Sequence, residues 1–264
     1  MILQKELNVF KCVGLAGIKS KTYLQNLCFG SSTRNKDKQT SSRSLNGHQD
    51  SKVFGGEQFE PDYSCVKLTG NWEHECKTAV LNNMLVFRNF ISEAEEEGIM
   101  AEIGPYLRRM RYEFDHWDDA IHGFRETERL HWLPQNERVL ERVRHLAMPP
   151  GTPPLKHVHV LDLAADGVIK PHVDSVRFCG SVIAGVSLLS DAVLRLVSCA
   201  EPTRCLDALL PRRSLYIMRH TARYDYTHEV LSEAESRFAG QLVPRRRRIS
   251  IICRNEPAPA AADQ

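Results

Sequence analysis

No apolar stretch of this chain is long enough to cross a bilayer: the longest uncharged one in its body, residues 178–190, runs to thirteen residues, against the roughly 20 that a membrane helix needs. The eight cysteines contain no CxxC pair and no Cys/His pairing of zinc-finger spacing. They read as reduced thiols serving as small core residues, which points to a reducing compartment. No internal repeat is visible, and no large excess of one charge. The formal net charge is +2, divided unevenly: residues 1–50 carry eight Lys or Arg against three Asp or Glu, and the rest carries 27 against 30. A mildly acidic body lacks the basic field that holds nucleic acid electrostatically.

What is present suits a folded domain. A chain of 264 residues with 42% hydrophobic residues can bury a sizeable core. Residues 1–52 interleave Lys and Arg with Ser and Thr, as in Lys19-Ser20-Lys21-Thr22 and Ser41-Ser42-Arg43-Ser44, and hold few acids. That is the composition of a mitochondrial transit peptide with a disordered tail. Residues 53–84 read as a linker and N-terminal extension, punctuated by Gly, Glu and Pro up to Gly70. Ser92-Glu93-Ala94-Glu95 has the capping-box form, and Ile99, Met100, Ile103 and Leu107 follow at helical spacing, so the pattern predicts a helix over 93–108. A second helix is predicted over 136–146, with Val139, Leu140, Val143 and Leu146 on one side.

After Pro154 the texture turns to strands. Residues 157–163 alternate, 181–189 are continuously apolar, and 193–197, 215–218, 222–227 and 249–253 are short β-branched or aromatic segments separated by Gly and Pro. The predicted fold is mostly β, a sandwich or jelly roll with N-terminal α-helices packed on one sheet. Residues 255–264 read as a disordered C-terminal tail.

The chemistry sits on those strands. His172-Val173-Asp174 puts two metal-capable side chains on one face of an extended segment, and His228 at the end of a later strand is a candidate third ligand. Two imidazoles and a carboxylate that leave coordination positions open suit non-haem Fe(II) and O2. An HxD alone is a weak signal in a chain with eleven His. Arg248 and Arg254 strengthen it: six residues apart on a strand, they point to the same side and could grip a dicarboxylate at both ends. Arg245 and Arg246 read as part of a solvated basic run.

His172-Val173-Asp174, the distal His228 and the Arg248 to Arg254 pair resemble the HxD, His and RxxxxxR pattern of the AlkB-like Fe(II)/2-oxoglutarate dioxygenases over residues 85–254. Long strings such as Arg111-Tyr112-Glu113-Phe114-Asp115-His116-Trp117-Asp118 and Ile169-Lys170-Pro171-His172-Val173-Asp174-Ser175 resemble one mitochondrial member more closely still. The resemblance implies a double-stranded β-helix over 85–254 with His172, Asp174 and His228 as catalytic iron ligands. It implies that Arg248, helped by the Tyr216 hydroxyl, takes the distal carboxylate of 2-oxoglutarate and that Arg254 approaches the carboxylate nearest the metal. Fe(II), 2-oxoglutarate and O2 are the cofactors implied, in a monomer of the mitochondrial matrix. A connection with programmed necrosis after alkylation damage and with fatty-acid metabolism is also implied.

Two departures from the family pattern bear on substrate. The strand leading to HxD reads His159-Val160-Leu161-Asp162-Leu163 and lacks the Asn-x-Tyr pair of the nucleic-acid demethylases, and 111–155 leaves little room for a base-gripping lid. A protein or other exposed matrix substrate is therefore favoured. The alternatives are demethylation of unpaired mitochondrial RNA or DNA, for which Tyr112, Phe114, His116 and Trp117 could stack bases, and a non-catalytic binding module. Those aromatics read primarily as core. Gly123-Phe124-Arg125-Glu126-Thr127 reads as a loop that docks a helix or covers the pocket mouth.

Overall fold

The structure is a computed structural model that describes residues 52–114, 116 and 119–257; the predicted transit peptide up to residue 51, Trp117 and residues 258–264 lie outside these. The described chain begins with a small hairpin, β1 (Lys52–Phe54) and β2 (Glu57–Phe59), followed by β3 (Val66–Thr69), α1 (His74–Leu81), β4 (Met84–Phe87), α2 (Glu93–Leu107), β5 (Ile121–Arg129) and α3 (Pro134–Ala147). Then come β6 (Val158–His172), β7 (Val182–Leu188), β8 (Ala192–Ser198), β9 (Cys205–Leu210), β10 (Leu215–Arg219), α4 (His220–Tyr224), β11 (Tyr226–Val230), β12 (Arg237–Phe238), β13 (Gln241–Leu242) and β14 (Arg248–Arg254). One antiparallel sheet runs β3-β9-β8-β11-β6-β14-β7-β10-β4, with β5 also paired to β6. Its two ends approach through β4 and β9, so the sheet curls nearly into a barrel.

The period of two along the strands sorts their side chains into two cores. On β7, β10 and β14, Val182, Ala184, Val186, Leu188, Leu215, Ile217, Ile249, Ile251 and Cys253 pack outward with Ile99, Ile103 and Leu107 of α2 and Val139, Leu140, Val143 and Leu146 of α3. The intervening Ile183, Tyr216, Met218 and Ile252 belong to an inner core with Leu161, Leu163, Leu194 and Leu196. This alternation assigns Ser187, Arg248, Ser250 and Arg254 to the inner face. α2 begins where predicted: Ser92 Oγ accepts from the Glu95 N–H at 3.2 Å, and Glu95 Oε2 accepts from the Ser92 N–H at 2.8 Å. Such a cap is worth about 1 kcal/mol. Glu95 also pairs with Arg142 of α3 at 3.1 Å, joining the two helices. Leu140 is buried between helix and sheet, so Leu140→Ala is expected to lower unfolding stability by about 2–5 kcal/mol in a urea titration.

Several predicted elements need correction. Residues 53–84 are not simply a linker: β3 pairs with β9 from Val66↔Ala208 to Thr69↔Cys205, and Cys65 and Val80 are buried. Residues 222–227 divide into α4 and the start of β11 rather than forming one strand. Gly123–Thr127 lies within β5, not a loop. Gly123, at φ +66°, marks a register shift between His122 and Phe124, and a Cβ there would come 3.0 Å from Gly167 Cα. A glycine bulge interrupts the alternation by which a strand is read. The C-terminal tail is anchored at its start, where Asn255 is buried and its Oδ1 accepts from the Val182 N–H at 2.7 Å.

Candidate active site

β6 ends on His172, and antiparallel pairing sets His228 of β11 directly opposite it. Asp174 follows two residues beyond. Asp174 Oδ1 lies 3.2 Å from His172 Nε2 and 3.5 Å from His228 Nε2, and the two imidazole rings are 4.3 Å apart between centroids. One ligand atom from each residue falls within 4.8 Å of the others. His172 Nδ1 is 2.8 Å from the Lys170 carbonyl, which can only accept, so the proton sits on Nδ1 and the Nε2 lone pair is turned to the cluster. Burial pushes His228 down to about 4, leaving it uncharged at neutral pH. Burial raises the Asp174 carboxyl, but the adjacent His172 and the positive charge of Arg254 outweigh it and hold the group far below the usual carboxylate range.

Arg254, at the end of β14, leans on this cluster. Its Nη2 is 3.3 Å from Asp174 Oδ2, its Nη1 donates to His159 Nδ1 at 3.1 Å, and its Nε is buried without a partner among the described residues. Arg248, at the other end of β14, is buried, and its Nε donates to Ser187 Oγ of the neighbouring β7 at 3.1 Å. Burial pushes its pKa down, and the neighbouring Tyr216 hydroxyl counters this. No carboxylate among the described residues forms an ion pair with Arg248. Tyr216 reaches it from β10 across β7, and Gly185 makes that crossing possible. A Cβ at Gly185 would stand 2.4 Å from the Tyr216 ring. Ser250, between the two arginines, has a buried Oγ with no partner among the described residues.

The six residues expected from the sequence thus divide into a tight group, His172, Asp174, His228 and Arg254, and an adjoining pair, Tyr216 and Arg248. An open cavity of about 380 Å³ lies against His172, lined also by Asp119, Ala120, Lys170, Pro171, Val173 and Ser175. Val173, Val176 and Phe178 are exposed on the loop beside it. The sequence reading missed Ser187 and Gly185, which show only as small residues inside an apolar run, and His159, which replaces no recognised motif residue. It also took Arg245 as solvated. Arg245 is buried, donating to the Leu231 and Gly167 carbonyls at 2.6 and 2.9 Å, whereas Arg246 is exposed as expected. Of the stacking candidates, Phe114 is exposed rather than core, and Tyr112 is half-buried with its ring under Arg125. Asp162 is fully buried and paired with Arg125 at 2.7 Å and Arg247 at 2.8 Å, which ties β5 to β6 behind the site.

The donor set fits a divalent first-row metal: two imidazole nitrogens and an ionised carboxylate converge on one point. Among the described residues the buried Arg248 guanidinium has no carboxylate partner, and Ser250 Oγ and Arg254 Nε on the same strand have no hydrogen-bond partner, which fits an anionic ligand beside that metal.

No protein-family model matches the chain. Two curated relatives, the mitochondrial alpha-ketoglutarate-dependent dioxygenase alkB homolog 7 of Bos taurus and of Mus musculus, are each 52% identical to it over 190 residues, covering 70% of this chain and 86% of the relative. A solved structure of a Trichoplax adhaerens prolyl hydroxylase, in complex with a hypoxia inducible factor oxygen degradation domain peptide fragment, aligns with a TM-score of 0.50 at 10% identity over 69% of this chain and 86% of that one. That likeness speaks for the jelly-roll fold alone. Both mammalian relatives are named as mitochondrial, which places this chain in the mitochondrion. At that identity and coverage the chain belongs to the AlkB-like Fe(II)/2-oxoglutarate-dependent dioxygenases, in the group of alkB homolog 7.

Proposed function

We propose that His172, Asp174 and His228 hold the Fe(II) of this dioxygenase, that Arg248 and Tyr216 bind the distal carboxylate of 2-oxoglutarate, and that Arg254 approaches the carboxylate nearest the metal. The observation that carries this reading is the buried Arg248 guanidinium, which forms no ion pair among the described residues, next to a converging His-Asp-His group. Fe(II), 2-oxoglutarate and O2 together supply oxidation of a C–H bond coupled to decarboxylation to succinate. The chain's part is to bind and orient. Arg248 and Tyr216 fix one end of the cosubstrate, Arg254 spans from that cosubstrate to Asp174, and Ile183, Met218 and Ile252 keep the inner wall apolar.

The reading extends to the substrate: an exposed protein side chain or similar group in the matrix. The open cavity beside His172 and the apolar Val173, Val176 and Phe178 at its edge support it, and Lys170 at the rim is already paired with Asp119 at 2.8 Å. The enzyme acts as a monomer after removal of a targeting segment within residues 1–52, and it serves the programmed necrosis and fatty-acid metabolism to which its resemblance ties it. Incubation with a mitochondrial protein extract under 18O2 and 2-oxoglutarate is expected to place 18O in protein as succinate forms. Formaldehyde release from N-methylated single-stranded RNA, with no label in protein, would overturn the substrate assignment.

A glycine tests the cosubstrate clamp. Gly185→Ala is expected to push the Tyr216 hydroxyl off Arg248 and weaken 2-oxoglutarate binding about tenfold, the scale of one hydrogen bond to a charged group. Metal retention should be unchanged. Calorimetric titration of 2-oxoglutarate into metal-loaded protein reads the first effect, and metal analysis of the same sample reads the second.

A further inference from the structure

We infer that His159 and Glu126 are positioning residues that set the orientation of Arg254, so that cosubstrate affinity is controlled in part from β5, the strand that carries Glu126. The inference rests on the reading that Arg254 binds 2-oxoglutarate. Three adjacent strands carry the chain of contacts. Arg254 Nη1 on β14 donates to His159 Nδ1 on β6 at 3.1 Å, and His159 Nε2 lies 2.8 Å from Glu126 Oε2 on β5. Each link joins diagonal neighbours, since His159 is opposite Ile252 on one side and Glu126 is opposite Leu161 on the other.

The chemistry of the donors fixes the direction of every bond. A guanidinium N–H can only donate, so His159 Nδ1 must accept and the imidazole proton must sit on Nε2. That proton is then given to Glu126. The Glu126 carboxylate, held low by its hydrogen bond from His159 against the opposing effect of burial, is ionised and is the acceptor this tautomer requires. Without it the imidazole is free to carry its proton on Nδ1, where it would face the Arg254 N–H donor to donor. With Nη1 on His159 and Nη2 on Asp174, both ends of the guanidinium are held, and the buried Nε is the group left without a partner among the described residues. Two fixed ends remove the rotamer freedom that a long arginine would otherwise lose on binding an anion.

The test measures 2-oxoglutarate affinity anaerobically in the Fe(II)-loaded protein through the visible band of the chelate, with Fe(II) affinity measured separately by competition with a chelator. His159→Ala and Glu126→Ala are expected to raise the 2-oxoglutarate Kd about tenfold and to leave Fe(II) affinity within about twofold. Glu126→Gln keeps an acceptor for His159 Nε2 and is expected to stay near the parent. In an Arg254→Lys background, where the fork is gone, His159→Ala should have no further effect. An unchanged Kd in His159→Ala, or an equal rise in both backgrounds, would overturn the positioning role. If Arg254→Lys itself leaves the Kd unchanged while the parent still shows the band, the assignment of Arg254 to the cosubstrate fails and this inference fails with it.

Discussion

Asp174→Ala is expected to purify without iron and to form no succinate. Asp174 is the anionic member of the triad, with Oδ1 placed 3.2 and 3.5 Å from the two imidazole Nε2 atoms. Its removal leaves two imidazoles to hold a dication while Arg254, whose Nη2 now leans on Asp174 at 3.3 Å, brings an uncompensated positive charge to the same point. Altering groups that merely orient metal ligands costs about 10–100-fold in affinity, so loss of the ligand itself should cost more than about 100-fold. Asp174 lies past the end of β6 and takes no part in strand pairing, so the fold should survive. Elemental analysis after desalting, with circular dichroism beside it, checks both points. Retention of iron at the parent level would remove Asp174 from the ligand set.

The second large effect belongs to Arg248. Arg248→Ala is expected to keep its iron and to lose 2-oxoglutarate affinity by about 100-fold or more, because truncating one partner of a buried, hydrogen-bonded charge pair costs about 3–5 kcal/mol. The metal should be spared because Arg248 bonds to Ser187 on β7 and neighbours Tyr216, and no hydrogen bond among the described residues joins it to the triad. Free Arg248 is itself costly to the fold, a buried guanidinium with no carboxylate paired to it among the described residues. The variant should therefore be no less stable without cosubstrate than the parent, and the parent alone should gain thermal stability when 2-oxoglutarate is added. Equal stabilisation of both by 2-oxoglutarate would place the distal carboxylate elsewhere.

The parts of this site that follow a short period were legible in the chain itself. HxD spans two residues and Arg248 to Arg254 spans six, so strand geometry alone gives each pair a common face. The capping box likewise announced α2 at Ser92. What escaped was set by contacts between distant strands. Gly185 reads as a weak point in a hydrophobic run until Tyr216 of β10 is seen to lie over it. His159 and Glu126 are ordinary polar residues until β5, β6 and β14 come side by side. β5 was hidden by its charged residues and by the bulge at Gly123, and Arg245 by its position in a run of four arginines whose neighbour Arg246 is indeed exposed. Arg245 is drawn inside by two backbone carbonyls, Leu231 and Gly167, that no local pattern reveals.

The most direct test is an anaerobic visible spectrum of the protein with Fe(II) added first and 2-oxoglutarate second, run in parallel on Arg248→Ala. A charge-transfer band that requires both additions, and that in the variant appears only at far higher 2-oxoglutarate, is the predicted result. A folded, iron-loaded parent that shows no band at saturating 2-oxoglutarate, or a variant that matches the parent at every concentration, would contradict the clamp.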